Sequence, residues 1–146
     1  MDDASLRWVE TTDGIDWDEL SELYRVAPLG DKPPAWLQTV FGNSMFVRVV
    51  YAGDRLVGAG RGLADGADCA YLADVAVHPD HQGTGLGQAL IRRLVDAASG
   101  HRKIILYANP GTEGFYRRLG FLPMNTAMGI WRDEDAAVRG GILRRD

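Results

Sequence analysis

The stretch from Val75 to Gly87, which reads Val-Ala-Val-His-Pro-Asp-His-Gln-Gly-Thr-Gly-Leu-Gly, decides the fold. Its apolar beginning predicts a strand that ends near Pro79, because proline cannot donate a hydrogen bond to a sheet. Three glycines at alternate positions follow, and a helical pattern begins directly behind them. Free amides at the start of a helix, together with the helix dipole, form a site for a phosphate. Taken alone, the loop also fits a glycine-rich turn that binds no ligand.

The composition is that of a globular protein of one-domain size. The net charge of −4 argues against nucleic acid as the main partner, because such proteins usually carry a basic surface. The single cysteine, Cys69, excludes an internal disulfide and fits a reducing compartment. The sequence contains neither a long apolar run nor a signal-peptide pattern. We expect one cytoplasmic domain over residues 1–146 that has no membrane segment.

The first half of the chain predicts two short helices and an antiparallel meander. In the first helix, Asp16 followed by Glu19 matches a capping box, and the second helix is expected over 34–41. From residue 45 the sequence pattern changes to that of strands rich in β-branched residues and separated by turns. The predicted strands cover 6–10, 45–51, 56–63 and 69–77.

The second half predicts a strand–helix–strand unit. Leu86, Leu90 and Leu94 form one stripe of the helix behind the glycine loop, and an apolar strand follows at 103–108. Such a unit makes its two strands parallel neighbours. Three further predictions complete the chain: a helix over 110–120 that ends in a Schellman-type contact of Phe121, a last strand at 128–131, and a tail at 132–146 that is weakly ordered or depends on a partner.

Two sequence blocks carry a resemblance to a known family. The first is Gln82-Gly-Thr-Gly-Leu-Gly87, preceded by Val75-Ala-Val-His-Pro79, and the second is Asn109-Pro-Gly-Thr-Glu-Gly-Phe-Tyr-Arg-Arg-Leu-Gly-Phe121. In this order and separation they resemble the pyrophosphate loop and the later block of the GNAT superfamily of N-acetyltransferases, which use acetyl-CoA. The resemblance is strong over 70–121 and thin before residue 45.

The resemblance implies a fold and a cosubstrate site. The fold is mixed α/β with three layers: a central, mostly antiparallel sheet with one parallel βαβ pair, flanked by helices. Loop amides would hold the CoA pyrophosphate, and the strand before the loop would pair with the pantetheine arm, although its valines can equally be core residues. Gln82 stands where relatives often have arginine, so cofactor affinity is expected to be modest. The implied cofactor-binding residues are Val75, Ala76, Val77, Gln82, Gly83, Thr84, Gly85, Leu86, Gly87, Gln88, Asn109 and Tyr116.

Tyr116 is the residue predicted to act in catalysis. A CoA thiolate leaves with a pKa near that of a free thiol, about 8.5, and a phenol can supply a proton or hydrogen bond to its sulfur. The family uses a tyrosine at the matching position. The alternative is a half-buried aromatic side chain that only packs.

Two other polar side chains have two interpretations each. Asp74 lies in an otherwise apolar strand, where it could be the general base or a structural acceptor for loop amides. Some family members instead place a glutamate a few residues earlier, at Ala70-Tyr71 in this chain. Asn109 could cap the helix that follows it, or face CoA as a matching asparagine does in many relatives.

The sequence leaves the acceptor open. His78, His81 and His101 lack metal-ligand spacing, so no metal is predicted. Acceptor binding is expected from the first half of the chain, at Trp17, Tyr24, the stretch 29–36 and the strand 45–51. Trp17, Tyr24 and Trp36 also fit core packing at helical spacing. Our first prediction is an acetyl-CoA-dependent N-acetyltransferase for a small primary amine, acting in a ternary complex. The alternative is a CoA-binding regulatory or sensor domain without turnover. The resemblance also allows a homodimer.

Overall fold

The computed structural model describes residues 5–146, which divide into two compact units at Leu106. Within these residues the first unit holds a five-stranded sheet in the order β1-β2-β3-β4-β5. The strands are β1 (Leu6–Val9), β2 (Phe46–Ala52), β3 (Arg55–Ala64), β4 (Cys69–Val77) and β5 (Lys103–Ile105). The first four are antiparallel neighbours, and β5 is parallel to β4. The predicted mixed sheet is confirmed, and β5 is shorter than the predicted 103–108.

Helices cover both faces of this sheet. They are α1 (Trp17–Val26), α2 (Pro34–Gly42) and α3 (Leu86–Ala97). Val49 packs in one core cluster with side chains of α1 and α2, whereas its neighbour Val50 packs in another with Leu86 of α3. Adjacent strand residues point to opposite faces, so the unit has the predicted three layers. The helices have the expected apolar faces, and Tyr24 of α1 is fully buried in the core.

The start of α1 confirms one half of the predicted capping box. The Asp16 carboxylate accepts the amides of Asp18 and Glu19 at 3.0 and 3.2 Å. A capping box also requires the Glu19 carboxylate to accept the backbone amide of Asp16, and this bond is not formed. The Glu19 carboxylate accepts the amide of Leu56 instead, at 3.0 Å, and so ties α1 to the start of β3.

A β-bulge interrupts the pairing of β3 and β4. Ala59 pairs with Ala76 and Arg61 with Ala73, so Asp74 and Val75 together lie opposite the single residue Gly60. Asp74 has a φ of 55°, a left-handed conformation that non-glycine residues rarely adopt. The bulge turns this part of β4 out of the regular ladder and sets the direction of the Asp74 side chain.

The second unit, Tyr107–Asp146, holds α4 (Glu113–Arg118) and α5 (Glu134–Arg139). Gly120 has a φ of 98°, and the amide of Phe121 donates to the carbonyl of Tyr116 at 3.1 Å, which confirms the Schellman-type end of α4. The helix is shorter than the predicted 110–120.

Two predictions for the C-terminal part are wrong. Residues 128–131 form no strand, and the side chains of Met128 and Ile130 are fully exposed. The apolar composition of this stretch suggested a strand, but in the described residues the stretch pairs with no edge of the sheet. The tail is not weakly ordered throughout, because it contains α5. Asp133 caps this helix by accepting the amide of Ala136, and Arg145 forms ion pairs with its first turn.

In residues 5–146 no helix is long and apolar enough to cross a membrane. That the chain is one domain over residues 1–146 stays a prediction.

The close packing around the bulge makes Gly60 sensitive to substitution. A Cβ at this position would lie 2.8 Å from Cδ1 of Leu94 and 3.3 Å from Cγ2 of Val75. Because Leu94 is fully buried and has little room to move, we expect Gly60→Ala to lower the free energy of unfolding by about 1–3 kcal/mol. Urea denaturation measures this change. Gly42→Ala is the matched control, since a Cβ there meets nothing within 4 Å; equal stability of the two variants would contradict the prediction.

Candidate active site

The glycine loop leads into α3 through two left-handed residues. Gly83 and Gly85 have φ values of 80° and 88°, and Gly85 is the N-cap of α3. A side chain would strain both positions, which explains why glycine stands there. Between them, the Thr84 hydroxyl donates to the carbonyl of His81 at 2.5 Å and fixes the loop on the buried histidine.

The amides of this loop have no acceptor among the described residues of the protein. In the described part of the chain, none of the backbone N–H groups from Gly83 to Gln88 donates a hydrogen bond to another residue. The first turn of α3, described in full, carries no acidic side chain. Unpaired amides at the positive end of a twelve-residue helix fit a pyrophosphate.

The outer edge of β4 is open next to this loop. Over the described residues, β5 pairs with β4 only from Cys69 to Tyr71, so the edge from Leu72 to Val77 has no strand neighbour on that side. Unpaired edge groups can bind an extended ligand as an added strand. Ala76 is buried, and Val75 and Val77 are half-buried. This burial is consistent with side chains that pack in the core while the backbone faces the edge.

Gln82 lies at the edge of the loop, but its side chain is used within the protein. Its Nε2 donates to the carbonyls of Ala27 and Val77, at 2.9 and 3.0 Å. The side chain therefore links the end of α1 to the end of β4. Because the Gln82 amide group is already bonded, the backbone amides of the loop are the donors that remain for an anion.

The carboxylate of Asp74 lies between two cationic side chains and is largely buried. Its Oδ2 accepts from Nε of Arg61 at 2.8 Å, and its Oδ1 lies 3.6 Å from Nζ of Lys32. The backbone carbonyl of Asp74 accepts the hydroxyl of Tyr24 at 2.5 Å. The predicted role as an acceptor for loop amides is wrong, because the partners of the carboxylate are two cations. The role of general base stays a prediction.

Arg61 was not predicted from the sequence, and Lys32 was not singled out within the stretch 29–36. Arg61 has a sequence signal, because it is a charge within the apolar strand β3 and so resembles Asp74 in β4. Lys32 has no such sequence signal, because it lies in a loop and only the tertiary structure brings it close to Asp74. It is one of just two lysines in the chain.

Tyr116 lies in α4 of the second unit, with two aromatic neighbours from the same segment. Its ring centroid is 5.1 Å from that of Phe115 and 5.9 Å from that of Phe121, both in edge-to-face geometry. Burial raises the pKa of the Tyr116 phenol above its ordinary value. The phenol is therefore neutral at pH 7 and can donate a proton.

Asn109 does not cap α4. The helix begins at Glu113 with Thr112 as its N-cap, and the amide and hydroxyl of Thr112 both donate to the backbone carbonyl of Asn109, at 3.1 and 2.7 Å. The cap interpretation is therefore wrong, since a turn at Pro110-Gly111 delays the helix. That the carboxamide faces CoA stays a prediction.

The histidines have ordinary roles in loops. His78 contacts Arg55 and accepts the amide of Asp80, while the ring of His101 accepts the amide of Gly66. Among residues 5–146, no group of three or more metal-binding side chains comes together.

Comparison with known proteins identifies the family. The model of the Acetyltransferase (GNAT) family matches residues 15–121, most of the chain and both blocks. This chain belongs to the GNAT family. Members of this family act on amine acceptors and generally use acetyl-CoA.

Individual relatives agree with this assignment. GCN5-related N-acetyltransferase 1, chloroplastic, of Arabidopsis thaliana is 32% identical over 116 residues, 77% of this chain and 59% of that protein. Serotonin N-acetyltransferase 2, chloroplastic, of rice is 46% identical over 69 residues, 46% of this chain and 34% of that protein. The chain thus spans about half the length of the curated relatives it matches.

Solved structures agree at the level of the fold. A GNAT-family acetyltransferase from Streptococcus pneumoniae superposes with a TM-score of 0.75 at 20% identity, over 88% of this chain and 98% of that one. At this identity the match concerns the fold alone.

The Tyr24 hydroxyl should stabilise the bulge. Tyr24 is fully buried, and burial raises the pKa of its phenol, so it stays a neutral donor to the Asp74 carbonyl. We expect Tyr24→Phe to lower the free energy of unfolding by about 1–3 kcal/mol, because the carbonyl loses its partner. Chemical denaturation measures the loss. The control is Tyr51→Phe, at a similarly buried ring in β2; a loss as large there would mean that the bulge contact is not responsible.

Proposed function

We propose that this chain transfers an acetyl group from acetyl-CoA to a primary amine by direct attack in a ternary complex. One observation carries the proposal: the open edge of β4 leads directly into the unpaired amides at the start of α3. An extended arm that ends in a pyrophosphate matches this combination, since the edge offers strand pairing and the helix start offers anion binding.

In this proposal the chain's own groups bind and orient the cosubstrate. Acetyl-CoA supplies the activated acetyl group as a thioester. The amides from Gly83 to Gln88 hold the pyrophosphate, while backbone groups of Val75 and Val77 pair with the pantetheine arm. Holding the thioester against a bound amine makes the reaction effectively unimolecular.

Tyr116 is the proposed general acid. Its phenol gives a proton or a hydrogen bond to the departing sulfur. Because burial raises the pKa of this phenol, the proton stays in place through neutral pH. Any decline of turnover caused by ionisation of Tyr116 should therefore have its midpoint at a higher pH than the ordinary pKa of a phenol, about 10.

Asp74 is the proposed acceptor of the amine proton. It directly precedes Val75 and so lies beside the proposed pantetheine edge. Support for an amine as acceptor comes from the family and from the rice relative, whose name gives serotonin, a primary amine. We propose the class of small primary amines and leave the side chain of the acceptor unspecified.

The second candidate function is a CoA-binding sensor domain of the same fold. The unpaired amides alone would suit it, because they bind without chemistry. Tyr116 favours the enzyme, since a domain that only binds CoA needs no buried proton donor.

Tyr116→Phe should separate chemistry from binding. We expect turnover to fall on the order of 10²-fold while affinity for CoA changes little, because the ring stays and only the proton is lost. Thiol release measured with a disulfide reagent gives the rate, and calorimetry gives the affinity. Tyr107→Phe is the control, since it removes a phenol from a more exposed ring of the same unit. Unchanged turnover in Tyr116→Phe would remove this residue from the mechanism.

A panel of amines decides between enzyme and sensor. We expect thiol release from acetyl-CoA to depend on a primary amine and to be absent with tertiary amines, which cannot form a stable amide. Tight CoA binding without acceptor-dependent release across the panel would favour the sensor.

A further inference from the structure

The ammonium group of Lys32 lies among a carboxylate and two aromatic rings. Its Nζ is 3.6 Å from Oδ1 of Asp74, 5.6 Å from the ring centroid of Tyr24 and 5.2 Å from that of Trp36. A carboxylate with aromatic faces is an arrangement that recognises organic ammonium groups. In this structure a side chain of the protein itself occupies it.

The two cations around Asp74 are held differently. Arg61 makes a hydrogen bond of 2.8 Å to Oδ2 and is 12% exposed, so it is a fixed partner that orients the carboxylate. Lys32 lies beyond hydrogen-bond distance of Oδ1, and within the described residues its ammonium group donates no hydrogen bond. Oδ1 therefore has capacity for a cation that approaches more closely.

Lys32 can leave without movement of its backbone. The hydroxyl of Ser21 donates to the carbonyl of Lys32 at 2.6 Å and fixes the loop on α1. The flexible four-carbon stem can swing from this anchor. Trp36 is 43% exposed, so one wall of the arrangement is open to solvent and gives a ligand a way in.

Charge balance favours an ammonium as the replacement. With Arg61 and Lys32 positive and Asp74 negative, the cluster carries one net positive charge. If Lys32 leaves and another monovalent ammonium enters, that balance is unchanged. The incoming group can also donate the hydrogen bond to Oδ1 that Lys32 does not make.

We propose that Asp74, Tyr24 and Trp36 form the subsite for the primary ammonium of the acceptor, and that Lys32 fills this subsite until the acceptor displaces it. The proposal rests on the proposed function, in which Asp74 lies beside the pantetheine edge. Lys32 is then an internal competitor. Its removal raises the affinity for amines in proportion to the time that it occupies the subsite.

Lys32→Met tests the proposal, because methionine keeps the apolar stem and removes the charge. The measurement is an NMR titration of the protein with n-butylammonium chloride at low salt and without acetyl-CoA. If Lys32 fills the subsite nine-tenths of the time, the variant binds about tenfold more tightly than the parent protein. n-Butanol, which has the same chain without the charge, should not bind to either.

Lys103→Met is the matched control. Lys103 is the other lysine of the chain and also pairs with an aspartate, since its Nζ is 2.8 Å from Oδ2 of Asp68. We expect its loss to leave n-butylammonium binding unchanged. Adding Asp74→Asn to Lys32→Met should abolish the gain, and asparagine tolerates the left-handed backbone of this position.

Two results would overturn the proposal: equal binding by Lys32→Met and the parent protein, or a gain that survives Asp74→Asn. Because no acetyl-CoA is present, these results are independent of turnover. An inactive protein that shows the Lys32-dependent gain would refute the proposed function but keep the ammonium subsite. An active protein without the gain would refute the subsite alone. With an active protein, Lys32→Met should also lower KM for the acceptor.

Discussion

The β-bulge between β3 and β4 is the constraint on which the rest of the first unit depends. It places Asp74 in a left-handed conformation that costs of order 1–3 kcal/mol, and two side chains and one glycine hold it there. Arg61 binds the carboxylate, Tyr24 donates to the carbonyl, and Gly60 leaves the space opposite. The strand beyond the bulge is thereby directed toward the glycine loop, and in the described residues its outer edge has no neighbouring strand.

The bulge determines the position of both sites proposed in the first unit, the one for the cosubstrate and the one for the acceptor. Beyond the bulge, the edge of β4 without a strand neighbour leads to the amides at the start of α3, and together they are the proposed surface for the cosubstrate. At the bulge, Asp74 presents one oxygen to Arg61 and the other to an ammonium group. The proposed donor and acceptor sites are thus contributed by consecutive residues of one strand, which is how a single irregularity can serve both.

Much of the fold was predictable from the sequence, because its signals are local. Alternating β-branched runs, the Asp16 cap and the glycine loop each determine their own conformation, and the predicted antiparallel meander and parallel pair of strands followed from them. The strand predicted at 128–131 does not form, since a strand needs a partner edge and composition does not reveal whether one is present. The same limit applied to the site. The glycine loop could be recognised from spacing, whereas the contact of Lys32 with Asp74 depends on tertiary structure across more than forty residues.

The central claim is that the amides at the start of α3 bind the pyrophosphate of acetyl-CoA. Hydrogen exchange measured residue by residue, with and without CoA, tests it most directly. The account predicts that the amides from Gly83 to Gln88 exchange freely in the unliganded protein and become protected when CoA binds, because each then has an acceptor. Binding of CoA that leaves these amides unprotected would contradict the account.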